Sequence, residues 1–163
     1  MKDLERIVYR VSPRRSGLQT ETVIGTEDGT ELFYLRSKLF SPLGRTYTLY
    51  DPDMQELLTT RQEDTAIFSR HTLLQDGRSV GEVGQLAVIP LKYFVQLRNL
   101  ARTEVHIGVF SSIYQLKSMD GDTVTAEFAQ HRSDWFIDVA TSHERLLALA
   151  AVVVICREIT LGH

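Results

Sequence analysis

Leu146 to Cys156 reads LLALAAVVVIC, an unbroken apolar run closed by Arg157 and Glu158. A bilayer-spanning helix needs about 20 such residues, and this stretch stops well short. In a water-soluble chain, a helix with no polar face must be enclosed by protein around its whole circumference. The alanines and leucines of Leu146 to Ala151 favour a helix, whereas Val152 to Ile155 are β-branched or poor helix formers in isolation, so a central strand over VVVIC is the competing assignment. The helix reading is preferred, over about residues 143–157. Ser142 stands where its hydroxyl can accept from a free backbone amide, and Glu144 falls in the first turn, where the helix dipole favours negative charge.

Upstream, from Ile7 to about Val139, short β-prone runs alternate with turn residues and no long amphipathic helical window occurs. Strands are expected over Glu31–Leu35, Tyr47–Tyr50, Glu56–Thr60, Thr65–Ser69, Ser79–Val83, Tyr93–Leu97, Glu104–Phe110, Thr123–Phe128 and Trp135–Val139. Glu27-Asp28-Gly29, Asp51-Pro52-Asp53, Gln75-Asp76-Gly77 and Asp120-Gly121-Asp122 separate them, and Asp-Gly and Asp-Pro favour tight hairpin turns. Asp28, Asp51 and Asp76 recur at about 23 to 25 residues, an interval that suits one hairpin and its connection. Such hairpins cannot bury their apolar faces alone. Closed around the terminal helix they form a mainly β fold, a closed antiparallel β-barrel wider than the eight-stranded kind whose own side chains fill it.

At 163 residues the chain is read as one domain, 1–163. A net charge of −3 and a pI near 5.9 give no long-range pull toward a phosphate polymer, so nucleic acid is not an expected partner. The one cysteine, Cys156, lies in the apolar run and is read as a buried structural thiol; it supports neither a disulfide framework nor a four-cysteine zinc site. MKDLERIVYRVSPRRSG lacks the apolar core of a secretory signal, so a cytoplasmic location is expected.

FYLRSKLFSPLGRTYTLYDPDMQELLTTRQ (Phe33 to Gln62), the repeated strand, acidic turn and strand units, and the ending DWFIDVATSHERLLALAAVVVICREI (Asp134 to Ile159) resemble the tubby C-terminal-like superfamily. Within it they are most similar to the LURP-one-related proteins, with phospholipid scramblases as more distant kin. The resemblance implies about twelve strands, closed around a hydrophobic final helix that follows a strand and a short link. It implies fold more strongly than activity. Tubby proteins bind phosphoinositides through basic residues on the barrel surface, scramblases act at membranes and bind calcium near the final helix, and many LURP-one-related members have no assigned role. The scramblases' long apolar C-terminal segment and cysteine-rich palmitoylation stretch have no counterpart in this sequence, and Asp134, Asp138 and Glu144 do not follow the spacing of a calcium loop.

Motifs for chemistry are sparse. Asp51-Pro52-Asp53 with Glu56 clusters carboxylates, but a turn with an acidic tip accounts for them. His71, His106, His131, His143 and His163 show no paired metal-ligand spacing, and no phosphate-binding glycine loop is present; Gly77, Gly81 and Gly84 fit a turn and a sheet bend. Ser16 and Ser79 lack a nucleophile context. Neither catalysis, a metal nor a cofactor is expected. The candidate site is a set of cations for an anionic lipid or small amphiphile: Arg14 and Arg15 after Pro13, and Arg36, Lys38 and Arg45 around Leu39-Phe40-Ser41-Pro42-Leu43. On one face, Leu39 and Phe40 would dip into a lipid interface while the cations meet headgroups, a peripheral membrane contact. The alternative is a scaffold whose exposed surface meets another protein.

Overall fold

A computed structural model describes residues 6–16, 19–38, 46–63, 68–88, 91–98, 102–107, 113–117, 124–140 and 145–161. Among them run twelve strands: β1 (Arg6–Ser16), β2 (Gln19–Gly25), β3 (Glu31–Lys38), β4 (Thr46–Tyr50), β5 (Glu56–Gln62), β6 (Arg70–Gln75), β7 (Arg78–Val88), β8 (Leu91–Leu97), β9 (Thr103–Ile107), β10 (Ile113–Lys117), β11 (Val124–His131) and β12 (Asp134–Ala140). One helix, α1 (Arg145–Leu161), ends the described chain.

The sheet is an antiparallel meander closed by a single long-range step. Its order is β10-β11-β12-β1-β2-β3-β4-β5-β6-β7-β8-β9, so β12 returns to pair with β1, from Arg6↔Ala140 to Val11↔Trp135. The two end strands, β9 and β10, lie side by side, with no ladder between them among the described residues, so the barrel is nearly closed. Beyond Val11, among the described residues, the first strand has a ladder only with β2. Pro13, which offers no amide hydrogen, therefore sits where no ladder on the β12 side requires one.

Alternation decides which side chains fill the barrel. On β12 Trp135, Ile137 and Val139 point inward and are buried, while Phe136 and Asp138 between them are only partly covered. Since β12 and β1 are antiparallel, Ala140 delivers the chain to the Arg6 end. From there α1 rises through the lumen for roughly 25 Å and finishes at the other end. Leu147 to Cys156 are buried without a break, and Ala151 to Ile155 have no exposure at all. Burial against strands on every side supports β-branched residues in a helix that propensity alone would not hold.

Several expectations are corrected by a few residues. The helix does not stop near residue 157 but continues to Leu161, because the side chain of Glu158 finds partners inside the barrel mouth. Phe68 and Ser69 are not in a strand; the strand there begins at Arg70, and residues 65–67 lie outside the described residues. Strands β1, β2, β6 and β10 overlap none of the segments expected from sequence. The Asp28, Asp51 and Asp76 turns connect β2 to β3, β4 to β5 and β6 to β7. Gly77 takes a positive φ of 75° in the last of these. Asp120-Gly121-Asp122 and the capping residues Ser142 and Glu144 fall outside the described residues.

Candidate functional site

Two of the five expected cations come together, but each holds a carboxylate. Arg14 on β1 opposes Glu21 on β2, which opposes Arg36 on β3, so the ladder itself lines up cation, anion and cation across three strands. Arg14 Nη2 lies 2.8 Å from Glu21 Oε2, and Arg36 Nε donates to Glu21 Oε1 at 2.8 Å. Arg14 also reaches Glu31 at 2.7 Å, and Glu31 accepts the phenolic hydroxyl of Tyr34. Arg14 lies over the Tyr34 ring and Arg36 over Tyr50, ladder partners on β3 and β4. Arg14 and Arg36 with Glu21 and Glu31 therefore carry no net charge.

Glu21 is the most enclosed member, with its side chain 5% exposed. Burial by itself would raise its pKa; the hydrogen bonds and charges of Arg14 and Arg36 outweigh that, and the carboxyl is held below its ordinary value. Arg15 and Lys38 belong to β1 and β3, but their side chains are outside the described residues, as are Leu39, Phe40 and the whole of Arg45.

Much of the described outer face is laced in the same way. Arg6 pairs with Asp138 at 2.7 Å, Arg10 with Asp134 at 2.6 Å, Arg70 with Glu82 at 2.6 Å and Lys92 with Glu104 at 3.5 Å. Asp134 and Asp138, weighed from sequence as calcium ligands, are thus engaged by arginines of β1. Asp51 caps its own turn, accepting from the Gln55 amide at 2.9 Å, and Glu56 accepts from the Thr59 hydroxyl. Among the described residues no three His, Cys, Asp or Glu side chains are grouped as a metal site.

A second polar cluster lies inside the barrel, where sequence reasoning expected none. Glu158, in the last turns of α1, accepts from Tyr47 Oη at 2.9 Å and approaches His71 Nε2 at 3.0 Å. Ser69 Oγ is 3.4 Å from its other oxygen. Tyr47 and His71 are 1% exposed and their rings stack at a tilt, 5.5 Å between centroids. Nearby Tyr93 has its pKa raised to about 12 by burial and by the Glu158 charge. A hydrogen-bonded carboxylate can rest there, because an unpaired one would be costly. These contacts tie the helix end to β4 and β6. Cys156, two residues earlier, is buried as expected, and burial pushes its thiol well above the ordinary range.

Among the described residues no helix is long and apolar enough to cross a membrane. The LURP-one-related family model matches residues 7–156, nearly the whole of the barrel and most of the helix. An X-ray structure of a protein from Arabidopsis thaliana superposes with a TM-score of 0.64, covering 98% of this chain and 95% of that one at 16% identity, a likeness of fold. No curated protein matches the sequence.

Proposed function

The chain belongs to the LURP-one-related family, and we propose that it works as a non-enzymatic binding domain that meets its partner on the outside of the barrel. The observation that carries this is the filling of the lumen: Leu147 to Cys156 occupy the space that other wide barrels leave for a ligand. The sheet and helix then act as a rigid support for the outer face.

The balanced pairing of Arg14 and Arg36 with Glu21 and Glu31 favours a protein partner over an anionic membrane. Lipid headgroups attract an excess of positive charge, whereas alternating ion pairs suit a surface of complementary mixed charge. The lipid reading rests on Arg15, Lys38 and Arg45 with Leu39 and Phe40, and vesicles separate the two. Co-sedimentation with neutral and with acidic vesicles is expected to leave the protein in the supernatant in both. Affinity capture is expected to retain a protein with the wild type and lose it with Arg36→Glu. Pelleting that depends on acidic lipid and is weakened by Arg36→Glu would overturn the protein-partner reading.

A further inference from the structure

Phe94 lies on the outer face of the barrel and is nonetheless covered. Tyr93 and Val95 on either side of it belong to the core, so alternation along β8 turns Phe94 outward, yet it is only 6% exposed. Its cover comes from the ladder. Gly84 opposes Phe94 on β7, and Arg70 opposes Gly84 on β6. A Cβ on Gly84 would lie 2.5 Å from Phe94 Cε1 and 3.4 Å from Arg70 Cγ, so the missing side chain leaves the notch in which the ring and the arginine stem rest.

Two guanidinium groups lie over that ring, Arg70 at 5.7 Å from its centroid and Arg102 at 4.4 Å. Among the described residues four arginines lie over rings, and three of them hold a carboxylate: Arg14 and Arg36 share Glu21, and Arg70 holds Glu82. Arg102, the nearest of the four to its ring, is exposed and forms no ion pair among the described residues. The acids around it are engaged elsewhere, Glu82 by Arg70 and Glu104, which opposes Phe94 on β9, by Lys92. Stacking on the ring restricts the Arg102 side chain in advance and leaves its in-plane N–H groups for an acceptor. On the same face of β8, two residues beyond Phe94, Gln96 lines a shallow depression of about 360 Å3 with Ser79, Gly81, Glu82 and Arg98.

We propose that Arg102, stacked on Phe94, anchors an acidic side chain of a protein partner, whose neighbouring backbone lies along the outer face of β7 and β8. A carboxylate complements a planar guanidinium, and an arginine already held against a ring loses less side-chain freedom on binding. Arginine and aromatic side chains are also those that concentrate binding energy at protein interfaces. A lipid surface suits this patch less well. Glu82 and Glu104 beside Arg70 and Lys92 deny it the excess of positive charge that a layer of headgroups requires, whereas a single carboxylate requires only Arg102. The inference deepens the reading of an outer-face protein partner and rests on it.

Decaglutamate serves as the probe for such an acidic segment, with decaglutamine as its uncharged control. Titrated into the full chain, decaglutamate should move the amide resonances of Thr103 and Glu104 saturably, and decaglutamine should not. Arg102→Gln should weaken decaglutamate binding by about tenfold or more, the loss expected for a charged hydrogen bond. Phe94→Leu, which removes the ring under the cation, should weaken it by about threefold. Arg61→Gln alters an exposed arginine of β5 that lies over no ring among the described residues, and should leave the affinity unchanged. Thermal melts establish that each variant is folded, and the exposure of Arg102 keeps the test open if Phe94→Leu unfolds. Unmoved resonances, unchanged affinity in Arg102→Gln, an equal loss in Arg61→Gln, or pelleting with acidic vesicles that Arg102→Gln abolishes would overturn the proposal. Capture of a protein that Arg36→Glu abolishes, beside decaglutamate binding indifferent to Arg102→Gln, would overturn this inference and leave the outer-face reading standing.

Discussion

Tyr47 Oη donates to Glu158 Oε1 across 2.9 Å, joining the last turns of the central helix to β4 from inside the barrel. Tyr47→Phe removes one hydrogen bond to a charged acceptor and should cost about 1–3 kcal/mol. Glu158→Ala strips Tyr47 and His71 of a shared partner and should cost about 2–4 kcal/mol. Urea denaturation of both single variants and the double variant measures the coupling. A coupling energy of zero would mean that the contact holds nothing together.

Glu21 supplies a second test through pH. Its folded-state pKa is depressed by Arg14 and Arg36 despite burial, so its contribution is present above the unfolded carboxyl pKa and is lost as pH falls through the folded one. Glu21→Gln should therefore destabilise by about 1–3 kcal/mol at pH 7, and the gap from wild type should close below roughly pH 4. Melting curves across that range check both statements.

At the alkaline end the group to watch is Tyr93. Its folded pKa is raised to about 12 by burial and by Glu158, so the neutral phenol stabilises the fold fully below the unfolded pKa, near 10. That stability is lost as pH rises from about 10 to 12. Tyr93→Phe should lose stability less steeply over this window than wild type, as followed by circular dichroism.

Gly81 tests the packing of β7 on β8. A Cβ there would lie 2.7 Å from the Gln96 carbonyl oxygen and 2.9 Å from Leu97 Cδ2. Because the first neighbour is backbone, it cannot swing aside, and Gly81→Ala should cost about 1–3 kcal/mol although alanine restricts the unfolded chain. A neutral or stabilising result would show that β8 yields.

The parts of this fold that announced themselves are those with a local physical cause. LLALAAVVVIC has no polar face and could only be enclosed, and Asp28-Gly29 and Asp76-Gly77 turn the chain by their own backbone preferences. Strand β1 was opaque because RIVYRVSPRRS carries arginines and a proline, and only its pairing to β2 and β12 makes it a strand. The same cause hid the fate of the candidate cations. Arg36 and Glu21 stand 15 residues apart and Tyr47 and Glu158 stand 111 apart, so their contacts are products of register and closure, which leave no local mark. Arg157 and Glu158 marked the end of the apolar run but not of the helix, since polarity reads as exposure until a buried partner is known.

The most direct test of the enclosed helix is native-state hydrogen exchange at Val152, Val153, Val154 and Ile155. With the helix surrounded by strands, these amides should exchange only through global unfolding, with protection within about 1 kcal/mol of the stability measured by denaturant and matching that of Ile137 on β12. Exchange several kcal/mol easier than at Ile137 would mean that the helix opens to water while the barrel stays folded, and would contradict the account.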